Sequence, residues 1–362
     1  MASFWVRRLH LLCLLSVVLA WPGVARADRN DLNLLNLCPP STASVGGLPS
    51  GTCSWVQRNP TTGQTQVVLG NDVASQYRSL MSELGVVVAP RLMTPADTLG
   101  YAGFQFSAEL GVTKINNNRQ IAGRAYWDGV EGVNPGDPNA ARPDSYLTTV
   151  GGFVRKGLWL PLPAFEFGVG AVSVLGSHMY AMQGYAKFAL QEGFQDWVLP
   201  SFAVRGSASQ LLGTSQVNLT VFGVDVLASK AFSIGGTARF EPFVGWNVLF
   251  IDARSGVIDA TPTCDAYAER QAAASGPVPG GCVAADNGTW NDLGANFTFP
   301  SQDIITRYRW FFGAKLKLSV LFVTAEMDIV QQGTSHDTSE PGGATDESGT
   351  QETFSLAGGF DF

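Results

Sequence analysis

T-F-S-L-A-G-G-F-D-F, Thr353 to Phe362, is the stretch whose reading decides the fold. At period two, Phe354, Leu356, Gly358, Phe360 and Phe362 fall on one face, and Thr353, Ser355, Ala357, Gly359 and Asp361 on the other. Side chains of a strand alternate between its faces, so this is a strand with one apolar face and one polar or small face.

Working outward, the same alternation recurs upstream. In Tyr101–Thr113, Phe104, Phe106, Ala108, Leu110 and Val112 oppose Gln105, Ser107, Glu109, Gly111 and Thr113. Tyr146–Trp159 follows with a less clean pattern, then Phe165–Leu175, Tyr180–Leu190 and Val198–Ser209. Gln216–Leu227 sets Gln216, Asn218 and Thr220 on the polar, inward face against Val217, Leu219 and Val221; its parity breaks at Gly223-Val224-Asp225, read as a bulge or the membrane rim. Ala238–Asp252, Ile305–Leu318 and Leu321–Gln331 complete the set, ten strands with the closing one, or twelve if Val67–Leu92 contributes a pair.

The closing strand resembles that of bacterial outer-membrane β-barrels, which typically end in Phe on an amphipathic strand. The resemblance implies an all-β fold, a single-chain antiparallel up-and-down barrel. It also implies that Phe354, Leu356, Phe360 and Phe362 form the signal read by the barrel-assembly machinery, with outer-membrane lipid as the surrounding partner. Physics supports closure: in hydrocarbon every backbone polar group needs an internal partner, and a sheet provides that only by closing on itself. No apolar run is long enough for a helical span. An exported soluble β-sandwich would use the same alternation in mirror sense.

Loop lengths form a consistency check. With the final strand ending in the periplasm, the long connections 116–144, 253–303 and 333–349 all fall outside, and shorter ones at 160–164, 191–197, 228–237 and near 319 fall on the periplasmic side. Trp127, Trp159, Trp197, Trp246 and Trp310, with Tyr101, Tyr146, Tyr180 and Tyr308, lie mostly near strand ends, as interface girdles would.

The chain divides into 1–27, 28–98 and 99–362. Met1–Ala27 reads as a secretory signal, with Arg7 and Arg8 before an apolar run and Ala25-Arg26-Ala27 as the cleavage site. Losing Arg7, Arg8 and Arg26 takes the net charge from −7 to −10. This acidic balance argues against nucleic acid as a partner. Cys38, Cys53, Cys264 and Cys282 remain as two locally spaced pairs; Cys38–Cys53 and Cys264–Cys282 are the natural disulfides, although four cysteines allow three connectivities. Residues 28–98 read first as an ordered N-terminal extension, which a plug in the lumen, a periplasmic cap or extra strands would each satisfy. It holds a helix over 71–84 with Val73, Tyr77, Leu80, Met81 and Leu84 on one face, Asn71 as N-cap and Gly85 as stop, followed by an extended run Val86–Leu92. A monomer is expected.

The inward faces carry charge of both signs: Glu109, Glu166, Lys187, Arg205, Arg239, Glu241, Arg307, Arg309, Lys315, Lys317, Glu326 and Asp328. A hairpin turn centred on Leu318-Ser319 places Arg309 opposite Asp328 and Phe311 opposite Glu326. These charges either form a closed network filling a narrow barrel or line a water-filled path; ten strands enclose little space, which favours the network. A narrow channel or transporter for small or apolar solutes is the first functional reading, and a structural or adhesion barrel acting through its external loops is the second. The third is a hydrolase at the rim. The only histidines after processing are His178 and His336; neither matches motifs of rim enzymes, and Ser335, His336 and Asp337 are the first residues to test. No catalytic residues, cofactor or metal site is assigned, and the acidic residues Asp337, Glu340, Asp346 and Glu347 read as a solvated loop.

Overall fold

The computed structural model describes residues 28–41, 53–58, 61, 65–91, 93–133, 143–158, 164–192, 199–260, 296–338 and 343–362. Residues 1–27, read from sequence as a secretory signal, and Cys264, Cys282, Glu340, Trp159 and Trp197 lie outside the described residues.

Ten amphipathic strands form one antiparallel barrel: β1 Phe104–Lys114, β2 Tyr146–Leu158, β3 Phe165–Val174, β4 Tyr180–Gln191, β5 Ser201–Leu212, β6 Val217–Ser229, β7 Ala238–Ser255, β8 Ile305–Leu318, β9 Leu321–Val330 and β10 Gln351–Asp361. Each pairs with its sequence neighbours, and β10 closes on β1 from Thr353↔Thr113 to Asp361↔Gln105. No edge is left open, the condition for a sheet to lie in hydrocarbon. Val56–Arg58 and Thr65–Val67 pair only with each other, so the barrel has ten strands and not twelve.

Alternation sets what faces out. On β10, Phe354, Leu356, Phe360 and Phe362 are exposed while Thr353, Ser355 and Ala357 are buried. Phe106, Val169, Phe222, Val226, Trp310, Phe312 and Val323 continue this exposed apolar belt around the barrel. The two ends differ. One carries the connections 159–164, 192–200, 230–237 and 319–320; the other carries 115–145, 256–304 and 331–350. Outer-membrane barrels keep short turns in the periplasm and longer loops outside, and the long-loop end is named the external end on that rule.

A helix, α1 Asn71–Val88, lies within the barrel, and every residue from Ser75 to Val88 is buried, polar and apolar alike. It runs from the external end inward. Gln76 reaches Ile121 and Arg78 reaches Asp303 in external connections, whereas Val88 O accepts from Gln183 and Ser209 on β4 and β5. Residues 93–99 lie toward the short-turn end, where Lys187 holds Pro95 O and Asp97 O, and lead into β1. Residues 29–36 sit at the external mouth, bonded to Leu175, Gly176 and Val130. The extension therefore enters at the long-loop end and threads the lumen toward the short-turn end.

The helix differs from its sequence reading at both ends. Gly70 is the N-cap and Asn71 the first helical residue. Gly85 does not stop the helix; a Cβ there would stand 2.7 Å from Ile251 Cδ1, so the glycine admits the β7 wall. Val86, Val87 and Val88 are helical rather than extended, because the lumen buries them on all sides and packing overrides their weak helix propensity.

Three further expectations are corrected. On β6, Val217, Leu219 and Val221 point inward and Asn218 and Thr220 outward, with unbroken pairing through Asp225 and no bulge. The inverted polarity arises because the external half of the lumen holds an apolar core around α1. The β8–β9 turn is Ser319-Val320, with Ser319 at φ 58°, so Arg309 pairs with Val330, Phe311 with Asp328 and Gly313 with Glu326. A shift of two residues keeps every side chain on its expected face. Trp127 belongs to no girdle: it is buried in the external loop core.

Candidate functional site: the filled lumen

Three layers occupy the barrel interior. The external layer centres on Glu83 of α1, a fully buried carboxylate. Its Oε1 accepts from Asn116 Nδ2 at 2.7 Å, Tyr126 Oη at 2.6 Å and Gly349 N at 3.1 Å; its Oε2 accepts from Asn116 N at 3.0 Å and Trp127 Nε1 at 2.7 Å. Five donors from two external connections thus converge on one side chain. Arg307 of β8 donates to Ser82 Oγ at 2.7 Å, Ser348 Oγ at 2.6 Å, Gly349 O at 3.0 Å and Gln331 O at 2.7 Å. Around this polar knot lies an aromatic cluster. Tyr77 stacks on Phe299 at 4.4 Å, and Trp55 meets Phe297 edge-on at 5.8 Å. Cys38–Cys53 forms the disulfide of this cap, with S–S 2.08 Å.

The middle layer has charged groups paired between neighbouring strands of the wall. Arg155 of β2 binds Glu109 at 2.7 Å and Arg205 of β5 binds Asp225 at 2.9 Å. Arg91 donates to Thr149 Oγ1, to Thr113 Oγ1 at 2.9 Å and to Val87 O at 2.8 Å. Arg309 reaches Pro90 O at 3.0 Å. Glu326 and Asp328 are buried beside them on β9, and Glu326 Oε2 and Asp328 Oδ1 have no hydrogen-bond partner among the described residues.

In the periplasmic layer, Lys187 of β4 donates to Pro95 O and Asp97 O, both at 2.9 Å, and pairs with Glu166 at 3.2 Å. Arg205 also holds Thr94 Oγ1 at 3.0 Å. Arg239 bridges Asp97 and Glu241, the latter at 3.1 Å. Asp361 holds Lys315 at 2.6 Å and Lys317 at 2.8 Å. These last groups line a cavity of about 130 Å³ at the short-turn mouth.

Of the twelve charges read onto the inward face, Glu166, Lys187, Arg205, Glu241, Arg307, Arg309, Lys315, Glu326 and Asp328 are buried, and Glu109, Arg239 and Lys317 are half-buried. Ion pairs engage Glu109, Glu166, Lys187, Arg205, Arg239, Glu241, Lys315 and Lys317, but Arg309 does not oppose Asp328, for the register reason above. Sequence reasoning missed Arg78, Glu83, Arg91, Asp97, Arg155, Asp225 and Asp361. Asp361 stands on the polar face of the closing strand and was legible. Asp225 is hidden by the inverted phase of β6, and Glu83 lies off the apolar face of its helix with no local partner to mark it.

The rim trio is split. Residues 335–337 are extended, held by Asp346 N→Ser335 O and Asp337 N→Ala344 O bonds, so successive side chains point to opposite faces. Ser335 Oγ faces in and accepts from Arg78 Nη2 at 3.0 Å, while His336 is exposed. A serine and histidine turned to opposite faces do not share a proton. Asp346 is not solvated either: it is buried and accepts from Ser82 Oγ at 2.8 Å. Among the described residues no group of His, Cys, Asp or Glu is arranged to hold a metal ion. The other histidine, His178, sits in the β3–β4 loop and binds Asp31 at 2.6 Å. That hydrogen bond and the carboxylate's charge hold its imidazole above the ordinary value. Partial burial pushes the Asp31 carboxyl up, but the bonds from the His178 ring and backbone outweigh it and leave it below the usual range.

No protein-family model and no curated protein sequence matches the chain. Among solved structures it is similar to Ail, the attachment invasion locus protein of Yersinia pestis, at 8% identity and TM-score 0.23 over 72% of this chain and 99% of that one. The N-terminal β-barrel domain of Pseudomonas aeruginosa OprF gives 9%, TM-score 0.24 and coverage of 73% and 99%. The Acinetobacter baumannii outer membrane protein Omp33 gives 9%, TM-score 0.22 and coverage of 72% and 99%. At these scores the likenesses carry nothing beyond themselves. The class follows from the chain's own geometry: a closed ten-stranded barrel with an outward apolar belt, a filled interior and unequal ends has the architecture of outer-membrane β-barrel proteins.

Proposed function

We propose that this protein is a barrel closed by its own N-terminal segment, acting as a structural or surface platform through its external cap and not as an open pore. The burial of α1 from Ser75 to Val88 inside the lumen carries this reading. Glu83 and Arg307 reinforce it, since each ties α1 to an external connection through buried polar bonds that are costly to break. The secretory signal at 1–27, assembly through the Phe-terminated closing strand and a monomeric state belong to the same proposal. Planar-bilayer recording of the refolded full chain tests it: no steady open state is expected, and a large ohmic conductance would overturn it.

One observation favours a second reading, a gated narrow channel. The periplasmic layer is fastened by ion pairs and backbone acceptors around a cavity, whereas the external layer adds an apolar core and a disulfide. Residues 94–99 are then the movable part. Arg239→Ala would raise the frequency of brief conductance steps under this reading and leave the record silent under the first.

A further inference from the structure

The outer surface of β5, β6 and β7 is not a smooth belt. Cross-strand pairing sets Phe202 beside Ala228 and Ala228 beside Val244, and in the next outward row Val226 beside Trp246 and Trp246 beside Trp310. Short side chains on β6 thus lie between an aromatic wall on β5 and a double indole wall on β7 and β8. The result is an apolar groove of about 720 Å³. A β-bulge leaves Leu190 of β4 without a partner opposite β5, and that side chain lines the groove too. Ala228 and Val244 also line a second hollow of about 380 Å³ that runs to Pro200, Pro242 and Lys230 at the short-turn rim.

We propose that this groove binds one glycerophospholipid of the periplasmic leaflet, an acyl chain lying along Ala228 and against the indoles and the headgroup phosphate beside Lys230. Two features select that occupant. The groove is continuous with the lipid-facing belt, so acyl chains are the medium it meets. Its polar end carries a cation at the level of the short turns, where phosphate lies; Lys230 Nζ also reaches Leu199 O at 3.3 Å, which holds it over the mouth. The pairing of β6 to β7 is continuous from Val217↔Ser255 to Ser229↔Phe243, so the groove is a surface site and no lateral opening into the lumen.

Native mass spectrometry of the refolded full chain, titrated with palmitoyl-oleoyl phosphatidylglycerol in detergent, tests this. The wild type should retain one lipid. Ala228→Trp should abolish retention, whereas Val169→Trp, on the lipid face of β3, should keep it. Lys230→Glu should weaken binding about tenfold, the loss of roughly one charge-assisted contact. All variants are checked for the unboiled gel shift of a folded barrel, and Val226→Phe serves as the groove-filling variant should Ala228→Trp not fold. Retention by the filled variant equal to wild type, or by Lys230→Glu equal to wild type, overturns the proposal. So does a protein dimer without bound lipid. A chain soluble without detergent would instead fail the membrane reading on which the groove rests.

Discussion

Glu83→Gln is the sharpest perturbation the lumen allows. The amide has the shape of the carboxylate but only one accepting oxygen. Turned so that this oxygen replaces Oε1, it still serves Asn116 Nδ2, Tyr126 Oη and Gly349 N. Its NH₂ then faces the Asn116 and Trp127 N–H donors. Two hydrogen bonds to a charged acceptor are lost, each about 1.5–3 kcal/mol, so the cost is roughly 3–6 kcal/mol. The barrel ladder does not include Glu83, so the unboiled gel shift should persist. The loss should appear as a lowered urea midpoint for Trp fluorescence in micelles and as new tryptic cleavage at Arg119 or Arg124. An unchanged midpoint with both arginines still protected would refute the reasoning.

Other expectations follow from the same layers. Arg307→Ala should destabilise by about 2–5 kcal/mol and more than Arg309→Ala, because Arg309 makes a single bond to α1's continuation, at Pro90 O; paired urea titrations compare them. Gly85→Ala gains about 1 kcal/mol of helix propensity but loses about 1–3 kcal/mol to overpacking on Ile251, and Gly85→Ala with Ile251→Ala should recover stability relative to Gly85→Ala alone. The His178–Asp31 pair has a pH window. The raised histidine contributes fully below about pH 6.5 and is lost as pH rises through its folded value, while the lowered carboxylate contributes above about pH 4 and is lost as pH falls through its own. Protease nicking before Leu32 should therefore increase from pH 6 to pH 9, and His178→Ala should remove that dependence.

The strands were legible because alternation at period two survives wherever one face meets lipid, as in Phe354 to Phe362. Even the shifted β8–β9 turn left the inward face of Arg307, Lys315 and Glu326 correct, since register errors of two preserve parity. The signal failed where the inner face of a strand meets an apolar core instead of polar groups. Val217, Leu219 and Val221 look like lipid-facing residues but cover α1, so β6 was phased backwards and Asp225 was lost from view. Gly85 reads as a helix stop in isolation; only the approach of Ile251, a contact 166 positions away in the chain, gives it another purpose. Glu83 had no local mark at all, because its five donors come from residues 116, 126, 127 and 349.

The placement of α1 inside the barrel carries the closed-barrel function, and it has a direct covalent test. Ser82 Oγ of α1 and Ser348 Oγ beside β10 are 3.1 Å apart. Cysteines at both positions need about 1 Å of movement to reach a bond of about 2.05 Å. Peptide mapping of the oxidised, folded Ser82→Cys/Ser348→Cys protein should show those two peptides linked in high yield. Two free thiols in a barrel that still shows its folded gel shift would put the helix somewhere else.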